Sequence, residues 1–190
     1  MKALCVYCGS STGSREIYRV TATTLAAEMV RRAISLVYGG GTPGLMGILA
    51  DAVLEAGGTV TGVIPRFLVD KELAHRHLSQ LHVVESMHDR KALMAHLADG
   101  FVALPGGVGT LEEIVEMISW AQLSLHNKPC GLLNVDGFFD ALARFLDHAT
   151  GEGFIRPQHR SMVHLHDSAA RLLDTMAAHE APQAGKLPFA

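Results

Sequence analysis

The sequence is short of the features that mark nucleic-acid binding and membrane insertion. Its 190 residues carry a formal net charge of −3, and no basic run is longer than Arg31–Arg32, so a basic footprint for DNA or RNA is missing. No stretch approaches the roughly 18 apolar residues of a transmembrane helix. The opening segment "MKALCVYCGSS" leads into a glycine turn rather than a signal-peptide cleavage site. We therefore expect a cytoplasmic protein that binds neither nucleic acid nor a membrane.

Cysteine is also scarce, and its positions argue against covalent cross-links. Cys5, Cys8 and Cys130 are odd in number, which does not suit a disulfide framework. Cys5 and Cys8 have a CxxC spacing, but side chains three positions apart on a strand point to opposite faces of a sheet. No second CxxC completes a zinc site. We predict buried or loop thiols at all three positions.

Histidine is plentiful, with 11 residues, yet a set of metal ligands is not apparent. The pairs His75–His77 and His164–His166 would each lie on one face of a strand. Neither pair has acids or cysteines nearby that complete a ligand set, so solvated or core histidines are the better interpretation. We expect neither a metal nor a cofactor.

Two nucleotide-binding motifs are missing or incomplete. The sequence has no GxxxxGK(S/T), which argues against a P-loop nucleotidase. Gly39, Gly41 and Gly44 satisfy the GxGxxG dinucleotide pattern, but the following segment "VTGVIPRF" has no acid to hold a ribose hydroxyl. A nicotinamide cofactor is therefore disfavoured, and a mononucleotide remains.

What the sequence does have is a regular alternation of apolar strands and amphipathic helices. The strands are predicted at 3–8, 35–40, 59–65, 81–86, 100–106, 129–135 and, late in the chain, 161–166. The helices are predicted at 16–32, 43–57, 89–98, 110–125, 137–150 and 167–178, with a loop and a short helix at 66–80. This pattern favours an α/β fold with a mainly parallel sheet covered by helices on both faces. We predict one domain, residues 1–179, and a mobile tail at 180–190.

Glycine is concentrated where three of these strands end. The loops are Gly9–Ser11, Gly39–Thr42 and Gly106–Thr110. Ligands of open α/β sheets bind at this edge, and glycine lets an anion approach the main-chain N–H groups of a helix N-terminus. Tight turns are the alternative, but three such loops on one edge favour a phosphate-bearing ligand.

Two acids follow the third loop. Thr110 and Glu113 have the spacing of a capping box, in which both side chains would bond to main-chain N–H groups. Alternatively, Glu113 faces the sugar of a nucleotide, where a carboxylate can stabilise an oxocarbenium-like transition state and activate water. Glu112 lies beside it in the sequence. Both interpretations of Glu113 stay open, and a capped helix would also fix a catalytic carboxylate.

Two cations open the helix after the fourth strand. Arg90 and Lys91 occupy its first turns, where the helix dipole disfavours positive charge. They either contact a ligand or form salt bridges with Asp89 or Glu85. Spacing alone does not decide between these two interpretations.

The segments "PGGVGTLEE" (105–113), "DRK" (89–91), "VYCGSS" (6–11) and "VYGGGTPGLMG" (37–47) together resemble one family. It is the LONELY GUY (LOG) family of phosphoribohydrolases, once widely mislabelled as lysine decarboxylases, and the resemblance covers about residues 1–178. It implies a Rossmann-like three-layer fold and a homodimer with active sites near the subunit interface. The implied reaction is hydrolysis of the N-glycosidic bond of cytokinin riboside 5′-monophosphates, and in many members of AMP, to the free base and ribose 5-phosphate.

The resemblance also implies roles for single residues. Glu113 would be the catalytic carboxylate and Arg90 its partner, with Lys91 and Glu112 in support. The phosphate and the rest of the nucleotide would contact the loop residues Gly9, Ser10, Gly40, Gly41, Gly106, Gly107, Gly109 and Thr110. Residues 66–80 would shape the base pocket, and whether adenine or an N6-prenylated adenine is preferred stays open.

Two other functions make different demands on this sequence. A lysine decarboxylase would need pyridoxal phosphate on a lysine, and Lys91 alone is placed near the predicted site, so this function is disfavoured. A carrier or sensor of a nucleotide or of molybdenum cofactor is the alternative to the enzyme, because such carriers share the fold and a related PGG loop. Trp120, Leu123 and Leu125 belong either to the core or to a dimer surface.

Overall fold

Seven parallel strands form the central sheet of the part of the chain that the structure describes. The structure is a computed structural model, and it describes residues 1–71 and 73–180. The predicted mobile tail lies outside these residues except for Glu180. The strands are β1 Ala3–Tyr7, β2 Ser35–Tyr38, β3 Val60–Pro65, β4 Gln80–Val84, β5 Gly100–Ala103, β6 Cys130–Leu133 and β7 Val163–His166.

Helices cover both faces of this sheet, which confirms the predicted three-layer α/β fold. They are α1 Glu16–Arg31, α2 Gly44–Glu55, α3 Arg66–Val69, α4 Met87–Leu97, α5 Val108–Gln122, α6 Asp140–Gly151, α7 Pro157–Arg160 and α8 Ala169–Ala177, with a 3₁₀ turn at Val135–Gly137. None of the described helices is both long and apolar enough to cross a membrane.

The strand order is β4-β3-β2-β1-β5-β6-β7, and every pair is parallel. The chain therefore winds outward from β1 to β4 and then returns to β5 on the other side of β1. Such a reversal opens a crevice at the carboxyl ends of the two central strands. Here these strands are β1 and β5, and the loops that follow them are joined by a hydrogen bond from the Gly9 N–H to the Pro105 carbonyl of 3.1 Å.

The core is divided between the two faces of the sheet. Along β1, Leu4 and Val6 pack against the layer that contains α1 and α2, whereas Cys5 and Tyr7 pack against the layer of α4 and α5. All four side chains are buried. Burial on both faces explains why the strands appear in the sequence as continuous apolar runs rather than as alternating ones.

The cysteine prediction is confirmed by this division. Cys5 lies in the core on the α4–α5 side and Cys8 in the core on the α1–α2 side, so the CxxC thiols point to opposite faces. Cys130 is buried as well, and all three are free. Burial raises the pKa of the Cys130 thiol to about 12 and those of the other two further. These thiols are therefore unreactive core side chains.

The ends of several elements differ from the prediction. Helix α4 begins at Met87 rather than residue 89, because the Ser86 hydroxyl accepts a hydrogen bond of 3.1 Å from the Asp89 N–H and caps the helix. Helix α5 begins at Val108 rather than residue 110, and α7 was not predicted. The late strand is present as β7.

Candidate functional site

The glycine-rich loops after β1, β2 and β5 enclose a cavity of about 460 Å³ at the carboxyl edge of the sheet. Eight predicted site residues line it: Gly9, Ser10, Gly41, Arg90, Gly107, Gly109, Thr110 and Glu113. Four others lie outside this lining: Gly40, Lys91, Gly106 and Glu112. The strand order thus brings together Gly9 and Glu113, which are 104 positions apart in the chain.

The loop at the start of α5 has the character of an anion site. Gly107 precedes the first helical residue, and within the described residues no side chain caps this end of the helix. A Cβ atom added at Gly107 or Gly109 would meet nothing within 4 Å, so the protein's own packing does not require glycine there. Glycine at these positions instead leaves room beside a helix N-terminus, where main-chain N–H groups and the helix dipole favour an anion.

Of the two interpretations of Glu113, the capping box is wrong. Because α5 begins at Val108, Thr110 lies inside the helix, where it is buried and packs against Gly106. A Cβ atom at Gly106 would come within 2.1 Å of the Thr110 hydroxyl, so this glycine serves packing. Glu113 therefore lies further along the helix than a capping residue, and its carboxylate is available for another contact.

That contact is Arg90, which three groups hold in place. The Nε donates to the Val63 carbonyl at 3.1 Å and Nη2 donates to the Gly39 carbonyl at 3.2 Å. Nη1 donates to Glu113 Oε1 at 3.3 Å. A Cβ atom at Gly39 would lie 1.8 Å from Nη2, so glycine at this position lets the guanidinium reach the end of β2. Main-chain carbonyls therefore orient Arg90 toward Glu113.

Glu113 places a carboxylate in the lining of the cavity, and its pKa is raised. Its side chain is only 12% exposed. Burial raises the pKa of Glu113 above its ordinary value, and the positive charge of Arg90 opposes this shift without cancelling it. A buried carboxylate with a raised pKa next to a cavity is suited to accept a proton and release it again.

Lys91 lies beside the cavity lining rather than in it. It forms an ion pair with Glu112, and its Nζ is 3.0 Å from Glu116 Oε2. Burial of the ammonium opposes its charge, but the hydrogen bonds to both carboxylates outweigh burial and raise the pKa of Lys91. Glu116 was not predicted as a site residue, although it lies one helical turn after Glu112 in the sequence.

These contacts decide how the two cations of α4 are used. Arg90 and Lys91 pair with residues of α5, so salt bridges to Asp89 or Glu85 are not formed by them. Asp89 instead accepts a hydrogen bond of 2.7 Å from the Ser86 hydroxyl. Glu85 forms a salt bridge with Arg66, in which Glu85 Oε1 is 3.5 Å from Arg66 Nε. The two pairs, Arg90–Glu113 and Lys91–Glu112, fix α4 against α5.

The loop after β2 has two glycines with a backbone function. Gly40 and Gly44 have φ values of 72° and 68°, which favour glycine strongly. A Cβ atom at Gly44 would lie 2.3 Å from the Ser10 carbonyl carbon. The Leu45 N–H donates to the Gly9 carbonyl at 3.0 Å, so α2 starts directly against the loop after β1. Gly40 therefore shapes the site without lining it.

One wall of the cavity is apolar. Met46, Ile64, Leu68 and Leu73 contribute to it, and none of them was individually predicted as a site residue. Leu68 and Leu73 belong to the segment that was predicted to shape a base pocket. Within the described residues, no group of three or more His, Cys, Asp or Glu side chains is arranged to hold a metal ion.

The fold is shared with solved proteins. The molybdenum cofactor carrier protein of Chlamydomonas reinhardtii superposes with a TM-score of 0.70 over 93% of this chain and 98% of that one, at 21% identity. At this level of identity the similarity shows that the two proteins share a Rossmann-like fold, and it shows nothing about function.

Sequence similarity is more specific. The family model described as a possible lysine decarboxylase matches residues 46–176. Cytokinin riboside 5′-monophosphate phosphoribohydrolase LOG5 of Arabidopsis thaliana is 51% identical over 179 residues, which are 94% of this chain and 78% of that protein. The probable phosphoribohydrolase LOGL9 of Oryza sativa subsp. japonica is 55% identical over 161 residues, 85% of this chain and 71% of that protein. The chain belongs to the LONELY GUY (LOG) family of phosphoribohydrolases.

Proposed function

We propose that this chain hydrolyses the N-glycosidic bond of cytokinin riboside 5′-monophosphates and of AMP. The products are the free base and ribose 5-phosphate. The observation that carries the proposal is the buried Arg90–Glu113 pair, which lies in one cavity with an uncapped, glycine-rich helix N-terminus. Relatives that are 51% and 55% identical to this chain over the aligned residues are named as phosphoribohydrolases, which supports the same reaction.

The 5′-phosphate is placed at the start of α5. Main-chain N–H groups from Gly107 to Thr110 bind it there, and the open space beside Gly107 and Gly109 accommodates its oxygens. Gly9, Ser10 and Gly41 face the nucleotide from the loops after β1 and β2. Gly40 and Gly106 act by shaping these loops. The apolar wall with Leu68 and Leu73 receives the base.

Glu113 and Arg90 act on the sugar and the base. As the bond from C1′ to the base nitrogen breaks, C1′ develops oxocarbenium character that the Glu113 carboxylate stabilises. The same carboxylate orients a water molecule and accepts its proton while the water oxygen bonds to C1′. The proton ends on the departing base, and Arg90 assists that departure or holds the sugar. Water is thereby divided between the two products.

Lys91 and Glu112 support the site by joining α4 to α5. The decarboxylase description of the family fits Lys91 poorly, because a Schiff base forms from a neutral amine. Two carboxylates hold Lys91 in its charged form, with a raised pKa, and its side chain lies outside the cavity lining. A homodimer and a cytoplasmic location belong to the same proposal.

The reaction is tested by incubating the purified protein with AMP and with N6-isopentenyladenosine monophosphate and separating the products by chromatography. We expect free base from the wild type, at a rate that Glu113→Gln lowers by at least about a hundredfold, the usual contribution of a general base. Because Gln keeps the shape of the side chain, nucleotide binding by the variant should persist in calorimetry. Full activity of Glu113→Gln would show that another group carries out the reaction.

The carrier function has its own outcome in this experiment. A carrier would bind the nucleotide stoichiometrically without releasing base. The buried Arg90–Glu113 pair favours the enzyme. A carboxylate near a bound phosphate weakens binding by electrostatic repulsion, and this cost is offset in an enzyme that uses the carboxylate in its reaction but not in a carrier. Binding without turnover by the wild type, on both nucleotides, would therefore decide for the carrier.

A further inference from the structure

His75 is a buried polar residue that the proposed reaction does not use. Its side chain is 5% exposed, and both ring nitrogens are bonded. Nδ1 is 3.2 Å from the His77 main-chain N–H, and Nε2 is 2.8 Å from Asp51 Oδ1 on α2. Because a main-chain N–H can only donate, Nδ1 must be the acceptor. The hydrogen of the neutral imidazole is then on Nε2, which donates to the carboxylate.

The main chain around His75 is bonded to the loop after β2. The His75 N–H donates to the Gly40 carbonyl at 2.9 Å, and the Thr42 N–H donates to the Leu73 carbonyl at 3.0 Å. Between them, Ala74 pairs with Gly41 as an isolated antiparallel bridge. His75 is thus the residue at which this segment is attached both to a site loop and, through its side chain, to α2.

Little else buries the segment. Among residues 66–71 and 73–77, His75 is the one residue that is buried, and the short helix α3 contains none. Leu68 and Leu73 of the same segment nevertheless line the cavity. A wall with so few buried contacts of its own depends on its attachments. Arg66 contacts Glu85 at the exposed start of the segment, whereas the bond from His75 to Asp51 is made by a buried side chain.

We propose that His75 and Asp51 are positioning residues for base specificity. Their hydrogen bond holds Leu68 and Leu73 in the apolar wall, and the wall in turn selects bases that carry an apolar N6 substituent. This inference rests on the proposed function, because it assigns the apolar wall to the base. AMP has no such substituent, so its binding depends less on this wall.

The test compares KM and kcat for AMP and for N6-isopentenyladenosine monophosphate in His75→Ala and Asp51→Ala. We expect each variant to raise KM for the isopentenyl nucleotide about tenfold, the size of effect expected from one lost hydrogen bond to a charged group. KM for AMP should change less than about twofold, and kcat for both should stay near wild type. The double variant should be no worse than either single one, because both remove the same bond.

Two control variants keep the bond. Asp51→Asn retains an acceptor oxygen, so it should keep most of the selectivity that Asp51→Ala loses. His77→Ala removes an exposed imidazole two residues away but keeps the N–H that bonds to Nδ1, so it should behave as wild type. Thermal unfolding of each variant separates a local effect from general loss of fold, and Asp51, with 56% of its side chain exposed, is the milder site.

Several results would overturn the inference. These are equal losses on both nucleotides, a fall in kcat as large as the rise in KM, or no change in either variant. Dissociation constants for the two nucleotides, measured by calorimetry, make the result independent of turnover. If the wild type binds both nucleotides but hydrolyses neither, the proposed reaction fails, and the ratio of these constants still decides whether His75 and Asp51 set base selectivity.

Discussion

Glu113 combines two opposing influences on one carboxyl group. Burial raises its pKa, and the charge of Arg90 lowers it again in part. Neighbouring charges on α4 and α5 add smaller contributions, with Glu112 raising the pKa and Lys91 lowering it. The net pKa lies above the ordinary value of 4.5. The protonation state of Glu113 should therefore be visible in the pH dependence of the reaction.

The acidic limb of the kcat/KM profile should report the titration of Glu113. A protonated carboxyl cannot accept a proton from water, so activity should fall about tenfold per pH unit below the pKa of Glu113. Because this pKa is raised, the fall should begin above pH 4.5. Glu112→Gln removes a negative neighbour and should move the limb to lower pH. Lys91→Met removes a positive neighbour and should move it to higher pH.

The opposite directions of these shifts are the control. Neither substitution changes Glu113 or Arg90, and both side chains lie outside the cavity lining. The profile is measured with AMP at several substrate concentrations, so that binding and turnover separate. If both variants move the limb in the same direction, or leave it in place, the titrating group is not Glu113.

At the scale of the element, the start of α5 separates glycines needed for packing from glycines that leave space. Gly109→Ala should increase the free energy of unfolding by about 0.5 kcal/mol, because alanine has the higher helix propensity and the new methyl group meets no protein atom. The same methyl group occupies the space proposed for the phosphate, so KM for AMP should rise about tenfold. Urea unfolding and steady-state kinetics measure the two effects.

Gly106→Ala is the matched variant in the same loop. Its Cβ would come within 2.1 Å of the Thr110 hydroxyl, so we expect a loss of about 2 kcal/mol of stability from overpacking. An unchanged KM for AMP in Gly109→Ala would contradict the phosphate assignment. Gly106→Ala is thus expected to lower the free energy of unfolding, and Gly109→Ala to raise KM for AMP.

The elements also show how far the sequence could predict this site. The loops and the motif residues were predicted, because glycine after an apolar strand is a local signal. The bond from Arg90 to the Gly39 carbonyl and the bond from Asp51 to His75 were not predicted, since the two residues of each contact are 51 and 24 positions apart. Such contacts depend on which strands become neighbours. Thr110 was misassigned because α5 begins two residues before the position that its spacing suggested.

At the scale of the whole molecule, the order of strands explains why one edge carries the site. The reversal between β1 and β5 places the loops after both strands side by side, and β2 adds the third. Helices α4 and α5 both pack on the same face of the sheet, so their charged pairs reach this edge together. A chain with the same loops in another strand order would not bring Arg90 to Glu113.

The proposed homodimer is predicted to use the exposed side of α5 and its C-terminal end. Leu123 and Leu125 are 55% and 67% exposed, whereas Trp120 is partly buried and packs against the core. Val115, 43% exposed, lies on the same helix. The centres of protein interfaces contain few charged residues, and an exposed surface formed by Leu123, Leu125 and Val115 fits this composition. Because α5 also carries Glu113, association along it would place the active sites near the interface.

Light scattering after size exclusion measures this assembly. The wild type should have twice the chain mass of 20.4 kDa. The double variant Leu123→Asp/Leu125→Asp should have the mass of a single chain, since charges at the centre of an interface oppose association. Phe154→Asp is the control, because Phe154 is 87% exposed on another part of the surface and should leave the mass unchanged. If Phe154→Asp separates the subunits and the leucine variant does not, the interface is centred near residue 154. The active site would then be complete within one chain, and dilution of the protein should leave the activity per chain constant.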